Sequence, residues 1–371
     1  MTADLEGPVD LATTAGQELA LAVRAADPLG FDRWTEAVPV MNAGADVPAL
    51  TSLLADLAAG VPAPGASRVA DLAAVRDIGV LLGSLRRHDV EPLSAVPAVG
   101  LPLTRLAAAT GMPPRDTILH YAHWNPVAAR ERTYTGDPQE SGLIESVRMV
   151  FPRLPAAIAL CERLHGADPR DPGFAPVLGE ILQLLEALVD SMHFVRSSVS
   201  PEFFTLGLRP YLEAVSVDGV TYLGPAAAQL PIWLLDQALF PHRTAPRSEE
   251  YETFWRALVP YSVPAWRRQL RLWEDSGSIG DVVVTALKQD GADCGGTLVG
   301  SAQALTRVLR LLARFRGMHL GIAQRAYDVE DRGFDVGSGG GSIDLLKEIL
   351  ELTRQFANAT RRRTAGPAAG A

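Results

Sequence analysis

The stretch GSAQALTRVLRLLARFRGMHLGIAQRAY (Gly300–Tyr327) is the most regular part of the chain. Leu305, Val308, Leu312, Phe315, His319 and Ile322 follow one another in steps of three and four. That spacing places all six on one face of an α-helix, because side chains three and four apart stack along the same side. The histidine therefore sits on the apolar stripe and not among the solvent-side residues. Arg310, Arg314, Arg316 and Arg325 belong to the same segment.

Working outward, Ala and Leu dominate, and β-branched alternation is scarce, so helix is the expected state almost everywhere. Helical patterning is read at about Leu11–Ala26, Ser67–Arg87 and Leu101–Thr110, and then at Gly142–Leu164 and Pro176–Val195. It returns at 225–240, 249–275, 300–327 and 342–362. The alternation VSVDGVTYL (Val215–Leu223), turning at Asp218-Gly219, predicts a small hairpin. Ser342, just before the apolar run Ile343-Asp-Leu-Leu, is a helix N-cap. The punctuation of Glu131-Arg-Thr-Tyr-Thr-Gly-Asp-Pro-Gln139 suggests a boundary. The expected organisation is a mainly α, two-part helical fold, with a smaller N-terminal region (1–135) and a larger helical domain (136–371).

Composition narrows the function. With 34 Lys+Arg against 43 Asp+Glu the net charge is −9, which argues against nucleic acid as a partner. Two cysteines, Cys161 and Cys294, cannot build a disulfide framework or a zinc site. Leu-rich runs such as 182–189 are interrupted by charge, so no membrane span is expected. The acidic MTADLEGPVD start lacks an apolar signal region. A soluble protein of the reducing cytoplasm is the expectation.

No HExxH, CxxCH, GxxxxGK[ST], GxSxG or EF-hand pattern is present. Gly337-Ser-Gly-Gly-Gly-Ser342 falls short of a dinucleotide fingerprint; it reads as a linker or as a Gly-rich flap that lets backbone approach a flat ligand. His120 and His123, three apart, could share a metal, but no matching ligand pattern accompanies them. His319 has two readings, a hydrogen-bonded core histidine or a metal or haem ligand. Gly317 and Gly321 would remove bulk beside its ring, and the nearby arginines, Arg316 among them, would pair with acidic groups of a cofactor.

Arg314-Phe-Arg-Gly-Met-His319-Leu, Arg325-Ala-Tyr327 and Gly337-Ser-Gly-Gly resemble the C-terminal haem-binding stretch of the indoleamine/tryptophan dioxygenase superfamily. Upstream, Val199-Ser-Pro-Glu-Phe203-Phe204-Thr-Leu-Gly-Leu-Arg209 is similar to that superfamily's Phe-Phe…Arg segment. Within the superfamily the chain most resembles the monodechloroaminopyrrolnitrin synthases. Arg76-Asp-Ile-Gly, Trp124-Asn-Pro126, Tyr134-Thr-Gly136, Glu145-Ser-Val-Arg148 and Tyr222-Leu-Gly-Pro225 carry that likeness in order.

The resemblance implies a haem b (iron) oxidoreductase, dioxygenase- or monooxygenase-like, in antibiotic or other secondary metabolism. It would act on L-tryptophan or a related aromatic amino acid with O₂ or peroxide. It implies His319 as the haem iron ligand, with Arg316 beside the cofactor, and Arg209 on the substrate carboxylate. Phe203, Phe204, Ser338 and Gly339 would line the substrate, and Ser338 and Tyr327 would stand near the reacting atoms. Gly341, where that branch carries an aromatic, implies a differently lined pocket. A haem-binding sensor, or an oxygenase of a different amino acid, remains open on these residues.

Overall fold

The computed structural model describes residues 11, 14–63, 65, 67–241, 247–274, 276–329, 337 and 339–364. These form 15 α-helices joined by short 3₁₀ and π turns, with one two-stranded sheet. The fold is mainly α, as composition and periodicity predict.

The long helix Gly296–Tyr327 is the axis of the larger half. Leu305, Val308, Leu312 and Phe315 are buried along it, on the predicted stripe. It packs on Phe174–Ser198 on one side and Ile343–Thr364 on the other, and Phe174–Ser198 in turn packs on Pro138–Val150 and Arg153–Leu164. The last helix starts where Ser342 predicts, with the Leu345 amide donating to Ser342 Oγ at 3.0 Å.

Helix Arg68–Arg87 centres the other half, capped by Ser67 and buried without interruption from Asp71 to Leu85. Such all-round burial needs partners on every side, and Val47–Ala59, Gly100–Thr110, Thr14–Ala25 and the turn Arg209–Leu212 supply them. One contiguous cluster of buried apolar residues runs from Leu11 to Ala357. The segment at the proposed boundary is well bonded: Glu140 accepts from the Tyr134 amide at 2.8 Å, the Thr135 amide at 2.8 Å and the Tyr121 hydroxyl at 2.9 Å.

Val215–Val217 pairs antiparallel with Val220–Tyr222, and Asp218 and Gly219 take φ of 49° and 77°, which suits a two-residue hairpin turn. Three expected helices are shorter than read. Gly142–Leu164 is two helices, Pro138–Val150 and Arg153–Leu164, because Pro152 lacks the amide that would continue the first. Pro260 and Pro264 divide 249–275 into Glu249–Leu258 and Pro264–Glu274, and Pro231 delays the 225–240 helix to Ile232–Leu239.

Candidate active site: the His319 face of the long helix

His319 is half-buried, deep among protein atoms yet with accessible surface left. Its ring lies 6.2 Å from that of Phe315, with 18° between the planes. No hydrogen bond to it is formed among the described residues. Burial first, and the Arg316 charge second, push its pKa below the ordinary histidine value. The imidazole is therefore neutral near pH 7 and has a lone pair to offer. Ala326 lies seven residues on, about two helical turns and roughly 10 Å along the same face.

The Phe203–Arg209 segment docks there. Thr205 donates its hydroxyl to the Ala326 carbonyl at 3.2 Å. Phe203–Leu208 is a π turn that runs directly into the 3₁₀ turn Arg209–Leu212, and π insertions are frequent at functional sites. Arg209 is buried and donates to Glu213 Oε1 at 2.8 Å. Its pKa is lowered by burial, opposed by Glu213 and by Tyr327, whose side chain is close enough to act on its charge. Phe203 and Phe204 are half-buried against the core.

The glycine loop is seated on the protein. A Cβ at Gly339 would overlap the methyl group of Ala228, so only glycine permits this approach. Gly340 has φ of +82°, and the Gly337 amide donates to the Gly341 carbonyl at 3.0 Å. The Phe254 ring stands 3.1 Å from where a Gly341 Cβ would be, so an aromatic from another helix fills space that a larger residue at 341 would take. Ser338 lies outside the described residues.

Residues 58–368 match the family model described as monodechloroaminopyrrolnitrin synthase PrnB. The chain belongs to this family. Its members are oxygen-dependent oxidoreductases of the haem-dependent tryptophan/indoleamine dioxygenase-like superfamily, and they act on tryptophan-derived substrates. No described helix is long and apolar enough to cross a membrane.

The residues present fit the haem of the PrnB family. A neutral imidazole with no internal partner, on an apolar helix face, is the donor that haem iron takes. Two expectations need correction. Arg316 does not stand ready for a cofactor carboxylate: its guanidinium donates to both oxygens of Asp236 at 2.6 Å, reaches Thr353 Oγ1, and stacks 5.1 Å from the Phe240 ring centre. Tyr251 completes that buried cluster, its hydroxyl donating to Asp236 at 2.9 Å. Gly317 and Gly321 do not flank the imidazole either. Two residues is about 200° around a helix, so both lie on the opposite side, with Arg314 and Arg325.

His120 and His123 are buried, and no group of three potential metal ligands exists among the described residues. The His120 ring meets Trp124 edge-on and His123 lies 4.0 Å from Phe151, so both are core side chains in this PrnB-family fold. Glu213 and Asp236 were missed by sequence reading. Glu213 was accessible as an i,i+4 partner of Arg209, whereas Asp236 stands 80 positions from Arg316 and left no local signal.

Proposed function

We propose that the protein is a haem b oxygenase of secondary metabolism that oxidises or rearranges the ring of L-tryptophan or a related aromatic amino acid. His319 is the proposed iron ligand and the cytoplasm the proposed compartment. The observation that carries this reading is the unbonded, neutral imidazole on the helix face where the Arg209 segment docks. When bound, haem supplies the activation of O₂ or peroxide.

The chain's own groups do the rest. Arg209 presents a fork of N–H donors to the substrate carboxylate, and Glu213, held at 2.8 Å, keeps that fork in place. Phe203 and Phe204 offer an apolar wall to an indole ring. Tyr327, close enough to Arg209 to act on its charge, would hold a proton or a hydrogen bond near the substrate's polar end. Ser338 and Gly339 are assigned to the substrate side, with the 337–342 loop excluding water when it closes. All of these residues fall in 136–371. The division at 135/136 is accordingly proposed as one of labour, the first part being a wall on which the turn Arg209–Leu212 rests.

The test is the optical spectrum of purified protein and of His319→Ala. Loss of the Soret band and of bound haem in the variant is expected. A variant with full haem content sinks the assignment.

A further inference from the structure

On the reverse of the long helix, away from His319, four arginines surround one concavity. Arg196 comes from helix Phe174–Ser198, Arg314 and Arg325 from the long helix, and Arg354 from Ile343–Thr364. The groove has a volume of about 390 Å³, and Gly317 and Gly321 lie in its floor. Nothing stands within 4 Å of where a Cβ on either glycine would be, so their backbone is open to a ligand.

None of the four arginines forms an ion pair or hydrogen bond among the described residues. Some other arginines of this acidic chain find carboxylates, as Arg148 does with Glu131 and Arg170 with Asp290, both at 2.6 Å. All four side chains are exposed, so water and salt screen their mutual repulsion, and a bound polyanion would replace that screening with direct ion pairs. The volume lies at the small end of small-molecule pockets, and among the described residues no aromatic side chain lines it to stack on a base.

We infer that this groove binds a small, non-aromatic polyanion carrying two or more phosphate or carboxylate groups. Such a ligand would tie three helices together across the back of the turn that carries His319. The site is independent of the haem assignment, since it uses no residue of the His319 face.

The experiment is calorimetric titration of the purified protein with tripolyphosphate and with citrate, alongside thermal unfolding. Saturable 1:1 binding and a rise in Tm are expected with at least one of the two, whichever is tighter naming the anion class. Arg196→Gln with Arg354→Gln should weaken binding by about tenfold or more. Arg307→Gln with Arg310→Gln, an equal charge change at exposed positions of the same helix outside the groove, should change it less than about twofold. Absence of saturable binding overturns the proposal. So does an equal loss in both double variants, which would mean unspecific attraction. Binding of polyglutamate without any response to tripolyphosphate or citrate also overturns it, in favour of an acidic protein partner.

Discussion

Two polar regions of this molecule are built on opposite terms. In the first, Asp77 is fully buried and takes Arg76 at 2.8 Å and Arg132 at 3.0 Å, while Arg132 also reaches Asp32 at 2.6 Å and Asp27 at 3.2 Å. Arg76 caps its remaining donors on the carbonyls of Val23 and Ala26 at 2.7 and 2.9 Å. In the second, His319 has no hydrogen bond among the described residues and stays partly accessible. A buried ionic network with its bonds filled has nothing left to give a ligand. It fixes the crossing of helix Arg68–Arg87 with the 131–139 segment. An imidazole without a protein partner costs stability unless water or a ligand takes up its lone pair, and His319 keeps the accessible surface through which either could reach it.

The sharpest way to break this contrast is to remove one member of each. Asp77→Ala takes the only carboxylate from buried Arg76 among the described residues and one of three from buried Arg132, and should cost about 3–5 kcal/mol of stability, read as a shift in the denaturant midpoint. His319→Ala should cost the haem-free fold under about 1.5 kcal/mol while abolishing haem uptake. Comparable destabilisation by the two would mean that His319 is architectural after all.

Arg209 sharpens the functional side. Arg209→Ala should weaken binding of L-tryptophan analogues by about 30-fold or more, a loss of about 2–5 kcal/mol, with haem content unchanged. Indole, which has no carboxylate, should bind the variant as it binds the parent. An equal loss for both ligands would mark general damage to the pocket.

A smaller effect is expected from His123, a buried histidine on the network's side of the molecule whose backbone carbonyl accepts from Arg24 at 2.6 Å. Burial first, with Arg24 and Arg148 adding to it, pushes His123 down to about 3, against about 6.5 when free. The unfolded chain therefore takes up a proton near pH 6.5 that the native state refuses until about pH 3. Stability must then fall as pH is lowered through that window, by about 1.4 kcal/mol per pH unit for this one site. His123→Gln should reduce the measured slope between pH 6 and 5 by about that amount, and an unchanged slope would show that the residue is not buried neutral.

The smallest expected effect is at the glycine loop. Gly339→Ala meets Ala228, and Gly340→Ala must hold φ of +82°, so the double variant should dock poorly. Turnover should fall by about tenfold with haem retained. Full turnover would reduce the loop to a connector.

Much of the fold was readable because its signals are local. The 3.6-residue stripe of Leu305–Phe315, the Ser342 cap and the Asp218-Gly219 turn each depend on neighbours within a few positions. The prolines at 152, 231, 260 and 264 were equally local, and reading through them lengthened three helices that the missing amides cut short. Of the candidate site, His319 and Arg209 came from motif likeness, and their roles were not deducible from periodicity alone.

By itself the sequence determined that the chain is helical, acidic and without a disulfide framework, and that a histidine rides an apolar helix face. Tertiary structure alone decided which arginine does what. Arg314, Arg316 and Arg325 are alike in a one-dimensional reading. Helical rotation and helix packing send Arg316 inward to Asp236 and leave the other two on the far groove. The physical reason is that a charge takes its role from the partner beside it, and that partner was 80 positions away in one case and absent in the others among the described residues.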